Sequence, residues 1–513
     1  MRPFIYSQQQ TAAIAEEAFR KKNLPEDVAL VFDDVEIIDR YSDIVRRGEI
    51  QDFSTKITRN CKINFPIVSS NMATVTGADM AITMARWGGI GVIHQFFPFD
   101  EAGKRFLQAE EVAKVKRTES GVIRDPFCIP PETSIAEIKE RMERFQISGF
   151  LVTDSSKKLI GIISQRDVSF EDDGTKKAAD VMTAAGLVTA SCDISLDEAK
   201  KLLVKNRKEK LPLVDSSGVV CGLITLRDLM SAQKSPRAAK DTNGSLVVAA
   251  AVGVSRDVLR RVEKLLDAGA DVIVVDTARG NAKPTEVIVR EIKKAFGEKA
   301  QVIAGNVDTP DAVKMLADAG VDGVKVGIGP GSACETRLVA GVGIPQLSAI
   351  VACAAVGEQY GIPIMADGGG RIPADPVKAI AAGASTFMTG GMLAGTKETP
   401  GTIIYEDGKA YKFYHGSASF EFQIERQDRV PRPAEAGLGS VEGAGVAEVR
   451  TPEGVSKKIP YRGEVGPVLK SFLEAFQSGM SYAGCRTIDE LRQNASFAYQ
   501  SPNARNENAP HEA

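Results

Sequence analysis

The sequence predicts an α/β fold: a closed parallel (β/α)8, or TIM, barrel interrupted by an insert. Three observations carry that prediction. Short apolar runs of strand length alternate with segments of helical periodicity, and each run empties into a glycine-rich or polar turn. The rhythm breaks once, between residues 120 and 235, for a self-similar pair of segments.

Residues 1 to 28 carry the apolar spacing of an amphipathic helical extension. ALVFDDVEII then reads as a strand, and INFPIVSSNMATVTG as a strand ending in a polar turn that contains glycine. ADMAITMARWGG has helical spacing and a glycine stop, and IGVIH is another short strand. Two or three such units precede the insert. Six follow it: LVVAAAVG, ADVIVVDTARG, QVIAGNV, GVDGVKVGIG, IPIMADGGGR and ASTFMTGG. Segments such as DVLRRVEKLLDAG and TPDAVKMLADAG supply helices between them, so eight units is the natural total. The expected division is 1–119 for the extension and the first part of the barrel, 120–235 for the insert, 236–500 for the rest of the barrel and 501–513 for a tail. In such a barrel, function gathers on the loops at the carboxyl ends of the strands.

The 64 basic and 67 acidic residues leave a net charge of −3, which gives no support to a nucleic-acid or membrane-surface partner. No run approaches the length of a membrane span, and the first residues lack the apolar core of a signal peptide. Seven scattered cysteines, odd in number and without a C-x-x-C pair, predict neither a disulfide framework nor a zinc site. They point instead to a reducing cytoplasm.

Inside the insert, IGIISQRDV at 160–168 is answered by CGLITLRDL at 221–229, each after a strand with an aspartate turn. Upstream, PPETSIAEIKERM and SCDISLDEAKKLL share a capping hydroxyl, an acidic first turn and apolar helical periodicity. Such a pair means two copies of one small unit packed together. It resembles a tandem pair of CBS domains. The resemblance implies regulatory purine nucleotides bound between the copies, with Asp167 and Asp228 as candidates to hold a ribose. Capping of the following helix is the other role open to both.

The most unusual stretch is 321–348, VDGVKVGIGPGSACETRLVAGVGIPQLS. A buried strand empties into Gly329-Pro330-Gly331-Ser332-Ala333-Cys334, where glycines let the backbone approach a ligand and aim several amides one way. Such a loop can hold a phosphate, or turn carbonyls onto a monovalent cation. A thiol held there among amides, near Arg337, suits a nucleophile of lowered pKa; most free cysteines, by contrast, are small, buried and inert. Glycine-bearing turns on neighbouring strands favour the functional reading. Asp276 ends VIVVD, where a carboxylate serves as a general base, a ribose anchor or a helix cap.

The loop is similar to the G-x-G-x-G-S-x-C-x-T loop shared by IMP dehydrogenases and GMP reductases, and matching segments run through nearly the whole chain. The resemblance implies a covalent bond between Cys334 and purine C2, with hydride exchanged between that carbon and NAD(H) or NADP(H). It implies proton relay by Thr336 and Glu453, although a P-E-G glutamate standing alone reads as a solvated surface carboxylate. For the substrate, GMP or IMP, Asp367 would hold the ribose, Ser332, Gly369, Gly390 and Gly391 would surround the phosphate, and Ser417 would belong to the same substrate site. Asp276, Asn306 and Gly327 would face the cofactor. Carbonyls of Gly329, Gly331 and Cys334 would coordinate K+, and the assembly would be a homotetramer, pairing into octamers through the CBS-like insert.

The segment 412–464 departs from the dehydrogenase pattern. Dehydrogenases of the family carry Y-R-G-M-G-S followed by an Arg-Tyr pair that activates the hydrolytic water. Here the first motif reads Tyr414-His415-Gly416-Ser417-Ala418-Ser419 and the pair reads Arg429-Val430, so an arginine remains and the tyrosine is gone. GGMLAG, GVGIPQLSA and GAGVAEVRTPEG lean toward GMP reductase, while the insert and the SGMSYAGCRTIDELRQNASF tail lean toward the dehydrogenase. The sequence reading therefore favours GMP reductase over IMP dehydrogenase. A barrel that binds nucleotides without turning them over is the reading from a different class.

Overall fold

Eight short strands close into a parallel barrel, in a computed structural model that describes residues 9–97, 99–100, 105–118, 122–124, 126–145, 147–227, 229–230, 235–419 and 451–508. We number them β1 (Ile67–Ser69), β2 (Ile90–Ile93), β3 (Ala249–Val252), β4 (Val272–Asp276), β5 (Val302–Val307), β6 (Gly323–Val326), β7 (Ile364–Asp367) and β8 (Thr386–Thr389). β1 and β2 come before the insert and the other six after it. Closure is made by β8 pairing with β1 and by β2 pairing with β3, all in parallel register. Almost every strand residue is buried, as a parallel sheet covered on both faces requires.

The helices lie where the sequence periodicity puts them. Val258, Val262 and Leu265 form the buried stripe of Val258–Asp267, and Ile288, Val289 and Ile292 that of Lys283–Phe296. Pro310–Ala319 begins with the Thr309 hydroxyl accepting the Ala312 amide and ends at Gly320, whose left-handed φ of 97° a side chain would resist. The helix Gln9–Lys21 buries Ala15 and Phe19 and packs against Gln346–Gln359. One sequence expectation fails here. ALVFDDVEII is not a barrel strand: only Val35–Ile37 is extended, and it pairs antiparallel with Phe497–Tyr499 outside the barrel. Its Asp34 carboxylate accepts the Val31 amide and closes a 3-10 turn, which ends any longer extended run.

Beyond the barrel, β9 (Lys409–His415) and β10 (Ser456–Pro460) form an antiparallel pair, followed by the helix Gly466–Tyr482. Leu469, Phe472, Phe476 and Met480 of that helix are fully buried. Phe476 meets Phe65 and Phe53 edge to face, with ring centroids 5.8 and 6.5 Å away. Among the described residues, no helix is long and apolar enough to cross a membrane.

A second compact unit comprises Lys116–Pro236 with Lys240–Leu246. Its two halves each contain an antiparallel hairpin, Gly149–Thr153 with Leu159–Ser164 and Lys210–Val214 with Val220–Thr225. Each hairpin has its own apolar cluster, around Ile138 and Val152 in one half and Leu203 and Leu213 in the other. Against the expectation from cysteine spacing, Cys192 and Cys221 are joined by a disulfide with their Cα atoms 6.0 Å apart. Folding brings together two cysteines 29 residues apart, a proximity that linear spacing does not reveal.

Truncating Phe476 to Ala removes three-way aromatic packing from a fully buried site, so we expect a loss of about 3–5 kcal/mol, read as a lower urea midpoint of unfolding. A variant within about 0.5 kcal/mol of the parent would show that this cluster does not stabilise the barrel unit.

Candidate active site

The carboxyl ends of β4 to β8 converge on one mouth of the barrel. The loop after β6 begins at Gly327, which has φ 148°; a Cβ there would lie 2.2 Å from the Asp367 carbonyl oxygen. Only glycine lets β6 and β7 end so close together. The Gly327 amide donates to Val307 O at 2.9 Å, and Cys334 N donates to Gly331 O at 3.0 Å, closing the tip of the loop. Arg337 donates to the carbonyls of Ile328 and Ile344 and thereby fastens both ends of the loop. Its hydrogen bonds serve the backbone, not the thiol.

Residues 453–455 run alongside this tip. Glu335 N donates to Glu453 O at 2.8 Å, and Val455 N to Ala333 O at 3.1 Å, so Cys334 and Gly454 face one another. The Cys334 thiol donates to Thr336 Oγ1 at 3.2 Å. Two residues far apart in sequence, Glu453 and Cys334, are thus placed side by side through backbone pairing. The Glu453 carboxylate is half-buried and has no hydrogen-bond partner among the described residues.

Ser332 stands beside a cavity of ≈ 340 Å³ lined also by Gly370, Gly391, Tyr414, Lys457 and Arg462. Ser332 Oγ and Tyr414 Oη are 3.1 Å apart, and Lys457 Nζ donates to Ser332 O at 2.6 Å. Tyr414 on β9 and Lys457 on β10 are cross-strand partners, so both side chains stand on one face. A Cβ on Gly391 would meet Ser332 Oγ at 2.5 Å, and one on Gly390 would meet Met72 Sδ at 2.9 Å. Burial raises the Tyr414 phenol above its ordinary pKa, so it stays a neutral hydroxyl. Sequence reading did not select Tyr414 or Lys457 as site residues; Tyr414 stood in the Tyr-His-Gly motif, and Lys457 carried no signal of its own.

The deepest feature is a buried ammonium. Lys325 on β6 has a 3% exposed side chain and donates to Asp276 Oδ1 at 2.9 Å and Asp367 Oδ2 at 2.8 Å, with a further hydrogen bond to Asn306 Oδ1. Asn306 Nδ2 in turn donates to Asp367 Oδ2 at 2.9 Å and Gly327 O at 2.7 Å. The two carboxylates outweigh the cost of burial and hold Lys325 protonated, above its ordinary pKa. Sequence reading passed over Lys325. Its signal was an ionisable residue between Val324 and Val326 in the apolar run GVKVGI, where an unpaired charge is costly.

Other expected site residues are placed as follows. Gly369 has φ 89° and lies against Gln346 and Phe32. Ser417 is exposed on the turn that leaves β9. Asp167 in the second unit accepts the Ser164 amide at 2.7 Å and its hydroxyl at 2.6 Å, closing the capping box at the start of the helix Gln165–Ser169, of which it is the third residue. Arg429 and Asp228 lie outside the described residues. At the loop tip, among the described residues, the Gly329 and Cys334 carbonyls accept no hydrogen bond, and that of Gly331 accepts one, from Cys334 N.

The loops at this end of the barrel thus present a thiol, a neutral hydroxyl beside a glycine-walled cavity, and a pair of carboxylates held by one buried lysine. Comparison with known proteins gives the family. The model of the IMP dehydrogenase / GMP reductase domain matches residues 29–511. The inosine-5'-monophosphate dehydrogenase of Nitrosopumilus maritimus is 46% identical over 94% of this chain and 98% of its own length. That of Aquifex aeolicus is 46% identical over 91% and 92%. A crystal structure of a GMP reductase variant from Trypanosoma brucei, in complex with guanosine 5'-monophosphate, superposes with a TM-score of 0.82. It is 36% identical and covers 96% of this chain and 99% of its own. With the barrel, the cysteine loop and a match over almost its whole length, the chain belongs to the IMP dehydrogenase / GMP reductase family of NAD(P)-dependent oxidoreductases acting on purine mononucleotides.

Proposed function

We propose that the protein is a GMP reductase, converting GMP and NADPH to IMP, NADP and ammonia. The observation that carries this reading is the absence of a phenol where water activation needs one. Residues 420–450 contain no tyrosine, and Arg429 is followed by Val430. A dehydrogenase must hydrolyse its covalent adduct, and a missing general base typically costs ~10²–10⁴-fold in that step. A reductase has no such step. GAGVAEVRTPEG, which leads into Glu453, supports the same direction.

In this reading the Cys334 sulfur bonds to purine C2 and the amino group leaves as ammonia, protonated through the neighbouring Thr336 and Glu453. The reduced nicotinamide then supplies hydride to C2, and the C–S bond breaks to release IMP. Ser332, Gly369, Gly390 and Gly391 would hold the phosphate, with Ser417 in the same substrate site. Tyr414 joins them as a neutral donor, beside the cations of Lys457 and Arg462. Asp367 would take the substrate ribose, and Asp276 with Asn306 and Gly327 the cofactor side. Open carbonyls at Gly329 and Cys334 suit a potassium ion that would steady the loop. The second unit would be a CBS pair binding purine nucleotides, with Asp167 and Asp228 beside the ribose. A cytoplasmic homotetramer, pairing into octamers, completes the reading.

IMP dehydrogenase is the second reading. It is favoured by the 46% identity to proteins of that name, against 36% to the GMP reductase structure. Arg429 would then activate water alone. Following absorbance at 340 nm distinguishes the two: we expect NADPH to be oxidised in the presence of GMP, whereas reduction of NAD with IMP at a comparable rate would reverse the assignment. Cys334→Ala should lower turnover by at least ~10³-fold in either direction while nucleotide affinity stays within a few-fold; full turnover would sink the covalent route. Gly391→Ala should weaken mononucleotide binding by about tenfold or more, because its methyl group displaces Ser332. Unchanged calorimetric affinity would remove Gly391 from the phosphate site.

A further inference from the structure

Lys325 does more than neutralise a core carboxylate. Asp276, Gly305 and Lys325 are aligned in register across β4, β5 and β6. A Cβ on Gly305 would meet Lys325 Cβ at 2.7 Å, so the missing side chain leaves room for the lysine stem. The ammonium thus reaches three strand ends at once: Asp276 on β4, Asn306 on β5 and Asp367 on β7. Each carboxylate gives one oxygen to this centre. The second oxygens, Asp276 Oδ2 and Asp367 Oδ1, accept no hydrogen bond among the described residues, although the two side chains are 20% and 19% exposed. One buried donor therefore leaves two acceptors unused on partly exposed side chains at the carboxyl ends of their strands.

We propose that Lys325 is a positioning residue that sets the ribose anchors of substrate and cofactor as a single unit. The inference rests on the assignment of Asp367 to the substrate ribose and Asp276 to the cofactor side. One cation against two carboxylates leaves the cluster with one net negative charge, shared between the two anchors. Without the ammonium, the two carboxylates repel each other and lose the donor that fixes their oxygens. A carboxylate turned away from its strand end no longer accepts from a ribose hydroxyl in a fixed direction. Loss of Lys325 therefore damages recognition of both ligands, through hydroxyl groups it never touches.

The test is ribose discrimination. For the parent protein, the dissociation constants of GMP and 2'-deoxy-GMP should differ by about tenfold or more, because the deoxy analogue leaves an acceptor unpaired. In Lys325→Met that ratio should fall toward one, and the dissociation constant of NADPH, measured by fluorescence, should rise about tenfold as well. Lys325→Met/Asp276→Asn relieves the excess charge if the single variant fails to fold, and its GMP ratio should be equally low. A purely structural lysine would lower the melting temperature and leave the ratio as in the parent, which overturns the inference. So does a change confined to one of the two ligands. If the parent itself does not distinguish ribose from deoxyribose, with GMP or with IMP, the assignment of Asp367 fails and takes the inference with it.

Discussion

A single buried ammonium organises the mouth of this barrel. Parallel strands end in the same direction, so their terminal carboxylates, Asp276 and Asp367, are forced into proximity around β5 and β6. Two such groups repel each other unless a cation lies between them. Lys325 supplies it from the middle of an apolar strand, at a depth where an unpaired charge is not tolerated. The interaction is reciprocal: the carboxylates keep the lysine charged, and the lysine fixes where their oxygens stand. The glycines at 305 and 327 follow from it, since the strands must approach closely for three side chains to share one centre.

Around that fixed centre, the reactive parts come from distant stretches of chain. The cysteine loop is fastened below by Arg337 and alongside by the backbone of residues 453–455. The cavity beside Ser332 is built differently, from glycines too small to obstruct it and from the Tyr414–Lys457 pair on a separate antiparallel ribbon. Barrel strands give rigid directions, while the ribbon gives groups that reach in from outside. Such a division lets the ribbon change without disturbing the anchors.

Much of this was legible from residues alone. Six apolar runs after the insert and two before it became barrel strands because a parallel sheet buried on both faces requires continuous apolar sequence. The glycine-rich turns marked the loop at Cys334 and the sites of close approach at 327, 390 and 391. What escaped were features created by tertiary folding. ALVFDDVEII had strand composition, but Asp34 closes a turn within it and its last residues pair with the chain's far end. Cys192 and Cys221 became partners through the packing of the second unit. Lys325 looked like a blemish in a strand because its two counter-charges lie 49 and 42 residues away.

The direction of the redox step lies on a different scale from the fold. On the proposed covalent route, dehydrogenase and reductase share the nucleotide, the nicotinamide and the sulfur adduct, so the residues that would hold those parts are indifferent to the outcome. Only the fate of the adduct differs. Water must be deprotonated and delivered in one case, and ammonia must depart before hydride arrives in the other. A few side chains beside the adduct decide which happens. Overall identity is an average over some five hundred positions, nearly all of them committed to the shared parts. In the proposed reading, the Arg429-Val430 pair bears on that choice more directly than 46% identity to dehydrogenases does. A barrel built to hold the purine immobile commits itself to neither product; the base that reaches the adduct makes the choice.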